Sequence, residues 1–127
     1  MTVLFHWRDS RRQTMVMTGN VREISMIHVL AIITTEPGQR QAVLDLFNQN
    51  VPAVRAEAGC IEYGAATDAD GLGAFQTRLG DDTFVVVEKW ESVEALKAHA
   101  AAPHMAAYAA KTKGMLKSRV IHVLNPA

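Results

Sequence analysis

The stretch that decides the fold is Thr83-Phe84-Val85-Val86-Val87-Glu88-Lys89-Trp90, followed at once by Glu91-Ser92-Val93-Glu94-Ala95-Leu96-Lys97-Ala98-His99. Its first eight residues are mostly β-branched or aromatic. Phe84, Val86, Glu88 and Trp90 fall on one face of an extended chain, and Val85, Val87 and Lys89 on the other, so the period of two predicts a strand. At Ser92 the period changes. Serine there can cap a helix, and Glu94 in the first turn suits the positive end of the helix dipole. Val93, Leu96 and Ala100 form the inner stripe of this helix. Pro103 breaks it and opens another, along which Met105, Tyr108, Thr112 and Met115 line up, with Gly114 near the end.

Working outward, Ile27-His28-Val29-Leu30-Ala31-Ile32-Ile33 is almost continuously apolar, the pattern of a central strand buried on both faces. Glu36-Pro37-Gly38 ends that strand and starts a helix, with the proline in its first turn. Val43, Leu44, Phe47, Val51 and Val54 then recur at steps of three and four. Pro52 lies inside this stripe and predicts a kink or a loose last turn. Ala58-Gly59 closes the helix, and Cys60 to Thr67 reads as a second strand with Ile61, Tyr63 and Ala65 on one face. Asp68-Ala69-Asp70-Gly71-Leu72-Gly73 is rich in turn formers, and the connection reaches to Asp82, long enough for a lid or a hairpin extension. Val120-Ile121-His122-Val123-Leu124 is a last strand, stopped by Asn125-Pro126. The order β-α-β-β-α-β is the split βαβ pattern of a ferredoxin-like α+β sandwich, an antiparallel sheet with its helices on one face. The other face carries Val85 and Val87, too apolar to leave in water, which predicts a homodimer with two sheets paired face to face.

The composition fits such a domain. The chain has 127 residues, 49% hydrophobic and 20% charged, ordinary for one globular domain and too apolar for disorder. Thirteen basic residues balance thirteen acidic ones, which argues against a nucleic-acid partner held by phosphate neutralisation. Cys60 is the single cysteine, so an internal disulfide and a CxxC zinc module are both excluded. No apolar run approaches the roughly 20 residues of a membrane helix, and the expectation is a cytoplasmic protein. The charge is unevenly spread: residues 1–25 hold four arginines (Arg8, Arg11, Arg12, Arg22) against two acids (Asp9, Glu23). They lack a sustained apolar period and a signal h-region. We read 1–25 as an N-terminal extension and 26–127 as the domain.

The run from Glu88 to His99, with Pro103-His104-Met105, Pro37-Gly38 and Gly59-Cys60-Ile61-Glu62-Tyr63, resembles the antibiotic biosynthesis monooxygenase family, quinol monooxygenases among its members. The resemblance covers about Ile27 to Leu124. Its most specific piece is the E-x-W strand end followed by A-L-x-x-H and P-H. It implies a dimeric α+β barrel and a monooxygenase that needs no cofactor, acting on a small aromatic substrate, a quinol or polycyclic phenol, with O2. The sequence carries no GxGxxG, Walker or CxxCH motif. Triplet oxygen reacts poorly with closed-shell molecules, and an electron-rich substrate answers that difficulty by supplying the electrons itself. The protein then contributes a dry pocket, a base and a hydrogen bond to the developing anion.

Each role has candidates. His99 or His104 has the right chemistry to accept a phenolic proton near neutrality. Glu88, an acid on an apolar strand face, is a further base candidate if its pKa is raised, or a structural carboxylate bonded to a helix end or a histidine. Trp90 and Phe84 are candidate pocket walls, with core packing as their plainer role. Tyr63 or Tyr108 could hydrogen-bond a substrate oxygen, as could the amide of Asn48. His99 and His104 stand five apart across a proline, not at the i, i+4 spacing of a helical ligand pair, so no metal site is expected from them with Glu88. Nothing near Cys60 in sequence would activate its thiol. An isomerase of small hydroxy-ketones, a haem-degrading oxygenase and a non-catalytic ligand-binding or stress-response dimer are the alternatives.

Overall fold

The computed structural model describes residues 26–127 in full and, before them, the backbone of three strands: β1 (Leu4–Asp9), β2 (Arg12–Met17) and β3 (Asn20–Ile24). These pair in the antiparallel order β1-β2-β3, where the sequence reading assigned no element. Met17 pairs with Asn20 in the β2–β3 ladder. The reading of 1–25 as an extension concerns side chains that lie outside the described residues.

From Met26 onward the elements are β4 (Ile27–Thr35), α1 (Arg40–Arg55), β5 (Cys60–Ala66), β6 (Thr83–Trp90), α2 (Val93–Ala100), α3 (Pro103–Thr112) and β7 (Leu116–Leu124). The sheet order is β5-β6-β4-β7 with every neighbouring pair antiparallel. β5 and β4 both run against β6, so they are parallel to each other with β6 between them. β6 and β7 flank β4 in the same way. That arrangement is the ferredoxin-like α+β fold expected from the element order. The core lies between sheet and helices, where Val29, Ala31 and Ile33 of β4 and Phe84, Val86 and Trp90 of β6 meet Val43, Phe47, Val51 and Val54 of α1.

Several local expectations shift. Pro37 lies in a turn before α1 rather than in its first turn: the N–H of Gln39 bonds the carbonyl of Glu36 at 3.0 Å, and Gly38 has φ +78°, the backbone of a type II turn. Pro52 ends nothing, and α1 runs on to Arg55. Ser92 caps α2, its hydroxyl accepting the N–H of Ala95 at 3.1 Å, but Val93 is exposed and His99 is the buried residue of that helix. α3 stops at Thr112, and β7 begins at Leu116. The strand's polar Lys117-Ser118-Arg119 obscured its start, and such residues are tolerated because β7 is an edge strand. A bulge between Cys60 and Glu62 separates Ile61 from the face of Tyr63 and Ala65. The Asp68–Asp82 connection is folded, with the Asp68 carboxylate accepting the N–H groups of Leu79 and Gly80 at 2.8 and 2.9 Å.

One contact positions the turn between α1 and β5. Gly59 has φ +84°, and a Cβ built there would lie 2.6 Å from the Cβ of Ala95. Only glycine permits both the left-handed backbone and this approach to α2. Gly59→Ala is therefore expected to destabilise the fold by about 2 kcal/mol through strain and displacement of α2. Urea unfolding should show a lower midpoint, and an unchanged midpoint would contradict the close approach.

Candidate active site

The close approach at Gly59 brings Glu57, in the turn after α1, against the ends of α2 and α3. One carboxylate oxygen, Oε2, lies 2.9 Å from Nδ1 of His99 and 2.9 Å from Nε2 of His104. A carboxylate only accepts, so both facing nitrogens carry a proton. In a neutral His99 the other nitrogen, Nε2, is then bare. It lies 4.0 Å from Oε1 of Glu88, beyond hydrogen-bond reach. Among the described residues no buried side-chain nitrogen or oxygen lacks a partner, so this unbonded Nε2 is not fully enclosed, and His99 borders an open space.

That space is a cavity of about 480 Å³ between the sheet and α2–α3. Val29, Ala31, Ile33 and Val86 form its floor, and Phe47, Tyr63, Tyr108 and His99 its aromatic wall. Phe47 stacks on Tyr63 at 5.2 Å, and Tyr63 meets His99 edge-on at 5.4 Å. Burial raises the Tyr63 hydroxyl well above its ordinary value, with the Glu88 carboxylate adding to the effect. Tyr108 is pushed up to about 12 by burial, which the nearby Arg119 partly offsets. Both stay protonated near neutrality and can donate to an anion.

Glu88 lines the cavity on β6. Its Oε1 accepts the indole N–H of Trp90 at 2.9 Å. Burial raises its pKa, while the Trp90 bond and the imidazole of His99 pull it back. It thus serves as Trp90's hydrogen-bond partner and is also poised beside Nε2 of His99. The indole itself is fully buried, packed against His99 at 4.6 Å.

The structure therefore gathers His99, Glu88, Tyr63 and Tyr108 around one cavity and leaves other candidates outside its lining. Trp90 and Phe84 are core residues rather than walls: Phe84 is fully buried against Phe47, and Trp90 backs His99. Asn48 is exposed on α1. His104 turns to Glu57 and does not line the cavity. Neither does any residue of the Asp68–Asp82 connection. Burial raises the Cys60 thiol, helped by Glu57 and Glu88, which disfavours thiolate chemistry. Glu57 escaped the sequence reading because its role comes from a turn distant along the chain. The histidines do converge despite their spacing, since the break at Ala101-Ala102 sets them on two helices. With Glu57 they place three donor atoms within 4.8 Å of one another, a set able to hold a cation.

A split βαβ sheet with an apolar, histidine-edged cavity under its helices defines a small-molecule-binding α+β domain. Residues 26–111 match the antibiotic biosynthesis monooxygenase family model, and the chain belongs to that family. It is 43% identical over 103 residues to YgiN of Escherichia coli K12, named a probable quinol monooxygenase, covering 80% of this chain and 98% of YgiN. Among solved structures, Rv0793 of Mycobacterium tuberculosis superposes with a TM-score of 0.66 at 29% identity, covering 81% of this chain and 96% of that one. PA3566 of Pseudomonas aeruginosa gives 0.68 at 25% identity, with 80% and 94% covered.

Because burial is the main cause raising Glu88, its charged form is better solvated in the unfolded chain. The native state gains relative stability below about 4.5 and loses it as pH rises from there through the folded value. Glu88→Gln keeps an acceptor for Trp90 and removes the titration. Its Tm should exceed that of the parent at pH 8, the gap closing toward pH 4. A gap that does not depend on pH would contradict the buried carboxylate.

Proposed function

We propose that this chain is a monooxygenase that oxidises a hydroquinone or polycyclic phenol with O2, the substrate itself being the reductant. The observation that carries this reading is His99, bonded through Nδ1 to Glu57 while its ring lines an apolar aromatic cavity, an arrangement in which the Glu57 bond leaves Nε2 as the bare nitrogen. Nε2 takes the phenolic proton, and Glu57 stabilises the imidazolium that forms. The Tyr63 hydroxyl donates to the phenolate oxygen. The electron-rich ring passes one electron to O2, and semiquinone and superoxide recombine with a new ring C–O bond. The hydroperoxide loses water to leave a hydroxyquinone. In sum, quinol and O2 give hydroxyquinone and water, and the ring supplies all four electrons that O2 accepts. No step requires a metal or an organic cofactor. Family membership and the name borne by YgiN support the substrate class.

The apolar outer face of the sheet supports a homodimer. Leu30 pairs with Val87, and Ile32 with both Val85 and Val120, a contiguous patch on the face opposite the helices. Each such side chain gains roughly 1.5–3 kcal/mol on full burial, so a second copy on this face recovers several kcal/mol. No helix among the described residues is long and apolar enough to cross a membrane, and one free cysteine suits the reducing cytoplasm.

Oxygen uptake with a panel of hydroquinones tests the activity. The parent should consume O2, His99→Ala should lower kcat by about 100-fold, and dialysis against a chelator should leave turnover intact. Tight binding of a phenol without uptake would instead favour a ligand-binding module, and full activity of His99→Ala would remove the base. Val87→Glu should shift the sedimenting species from dimer to monomer. A parent that sediments as a monomer would overturn the pairing.

A further inference from the structure

The cluster beside the cavity has a property that proton abstraction does not use. Oε2 of Glu57, Nδ1 of His99 and Nε2 of His104 come from three separate segments and lie within 4.8 Å of one another. The two imidazole–carboxylate separations are 2.9 Å. Ligand atoms on a tetrahedral zinc ion stand about 3.4 Å apart, given metal–ligand bonds of roughly 2.0–2.2 Å. Opening each carboxylate–imidazole contact by about half an ångström, with the two ring nitrogens, now within 4.8 Å, settling to the same spacing, would make room for an ion at the centre. The side chains are 15%, 6% and 30% exposed for Glu57, His99 and His104. The site is thus sheltered on the core side, with half-buried His104 giving access for an ion and for a water as fourth ligand. Two imidazoles and one carboxylate form a donor set suited to zinc and its borderline neighbours rather than to calcium or magnesium.

We propose that Glu57, His99 and His104 form a binding site for a zinc-like divalent cation, adjoining the substrate cavity through His99 and not required for turnover. The ion takes the place of the two protons that now bridge to Oε2, and through solvent each ring regains its one proton on the opposite nitrogen, so both imidazoles stay neutral. Neutral His99 bound through Nδ1 then carries its single proton on Nε2. Occupancy therefore turns the cavity-facing atom of His99 from acceptor to donor. Resting on the catalytic reading above, this makes the cation an inhibitor: it leaves the cavity intact and removes its base. The metal would withdraw the group that the cofactor-free reaction depends on, so loading and activity should run in opposite directions.

Metal binding and turnover are measured separately. Titration of the full chain with Co(II) should give visible d–d bands of a low-coordinate N/O site, and Zn(II) should displace them at one equivalent. His104→Ala should weaken Zn(II) binding by at least tenfold in equilibrium dialysis, and Glu57→Gln likewise, with circular dichroism reporting that each variant is folded. Binding in the parent that both folded variants retain in full would overturn the site, as would no Zn(II) binding at 100 µM. If Zn(II) binds as expected, it should lower hydroquinone-dependent O2 uptake, reversed by chelator. Uptake unaffected at saturating Zn(II) would overturn the inhibition. Absence of uptake in the metal-free parent would count against the proposed oxygenase reaction and not against the metal site.

Discussion

Oε2 of Glu57 accepts from two imidazoles at 2.9 Å each, and this shared acceptor organises the candidate site. It joins the turn after α1 to the end of α2 and the start of α3. Hydrogen bonds to an ionised partner are worth about twice those between neutral groups, and partial burial strengthens them further. The junction forms only because Gly59 lets the turn approach Ala95 so closely. Its chemical consequence is a fixed tautomer: by accepting a hydrogen bond from the Nδ1–H of His99, Glu57 leaves Nε2 free to act. Trp90 and Tyr63 flank the ring at 4.6 and 5.4 Å, so its orientation is set by packing as well as by the bond.

The second organising feature is β4, whose two faces meet different partners. Val29, Ala31 and Ile33 are buried under the helices, whereas Leu30 is exposed on the outer face of the single chain. A strand with both faces apolar is normally covered on both. The same polypeptide thus supplies the cavity floor on one side and the proposed dimer surface on the other. The outer-face residues Leu30, Val85 and Val87 stand apart from the cavity lining, whereas Val86 and other inward residues of the same strands belong to it, so the two faces can be altered separately.

The fold was largely legible in the sequence because its signals are local. The alternation from Thr83 to Trp90, the stripe of Val43, Phe47, Val51 and Val54, and the serine cap at Ser92 each need only a few neighbouring residues. The misreadings arose where distant contacts decide. The polar start of β7 looks unlike a strand until it is known to lie at an edge. The Cys60–Glu62 bulge flips Ile61 relative to its alternation. For the site, strand parity groups Glu88 with Phe84 and Trp90 but cannot rank depth. It leaves wall and core open for Trp90 and Phe84, which lie in the core, while Glu88 lines the cavity. Glu57 had no local signal: its role exists only once three segments meet. The histidine spacing was informative only within one helix, and the bend at Ala101-Ala102 changed its meaning.

The central claim is that Glu57 holds His99 in the tautomer that presents a bare nitrogen to the cavity. It can be observed directly by 15N NMR of histidine-labelled, metal-free protein at neutral pH. The account predicts that, in neutral His99, Nδ1 resonates as a protonated nitrogen and Nε2 as an unprotonated one. A proton on Nε2 with Nδ1 bare would contradict it.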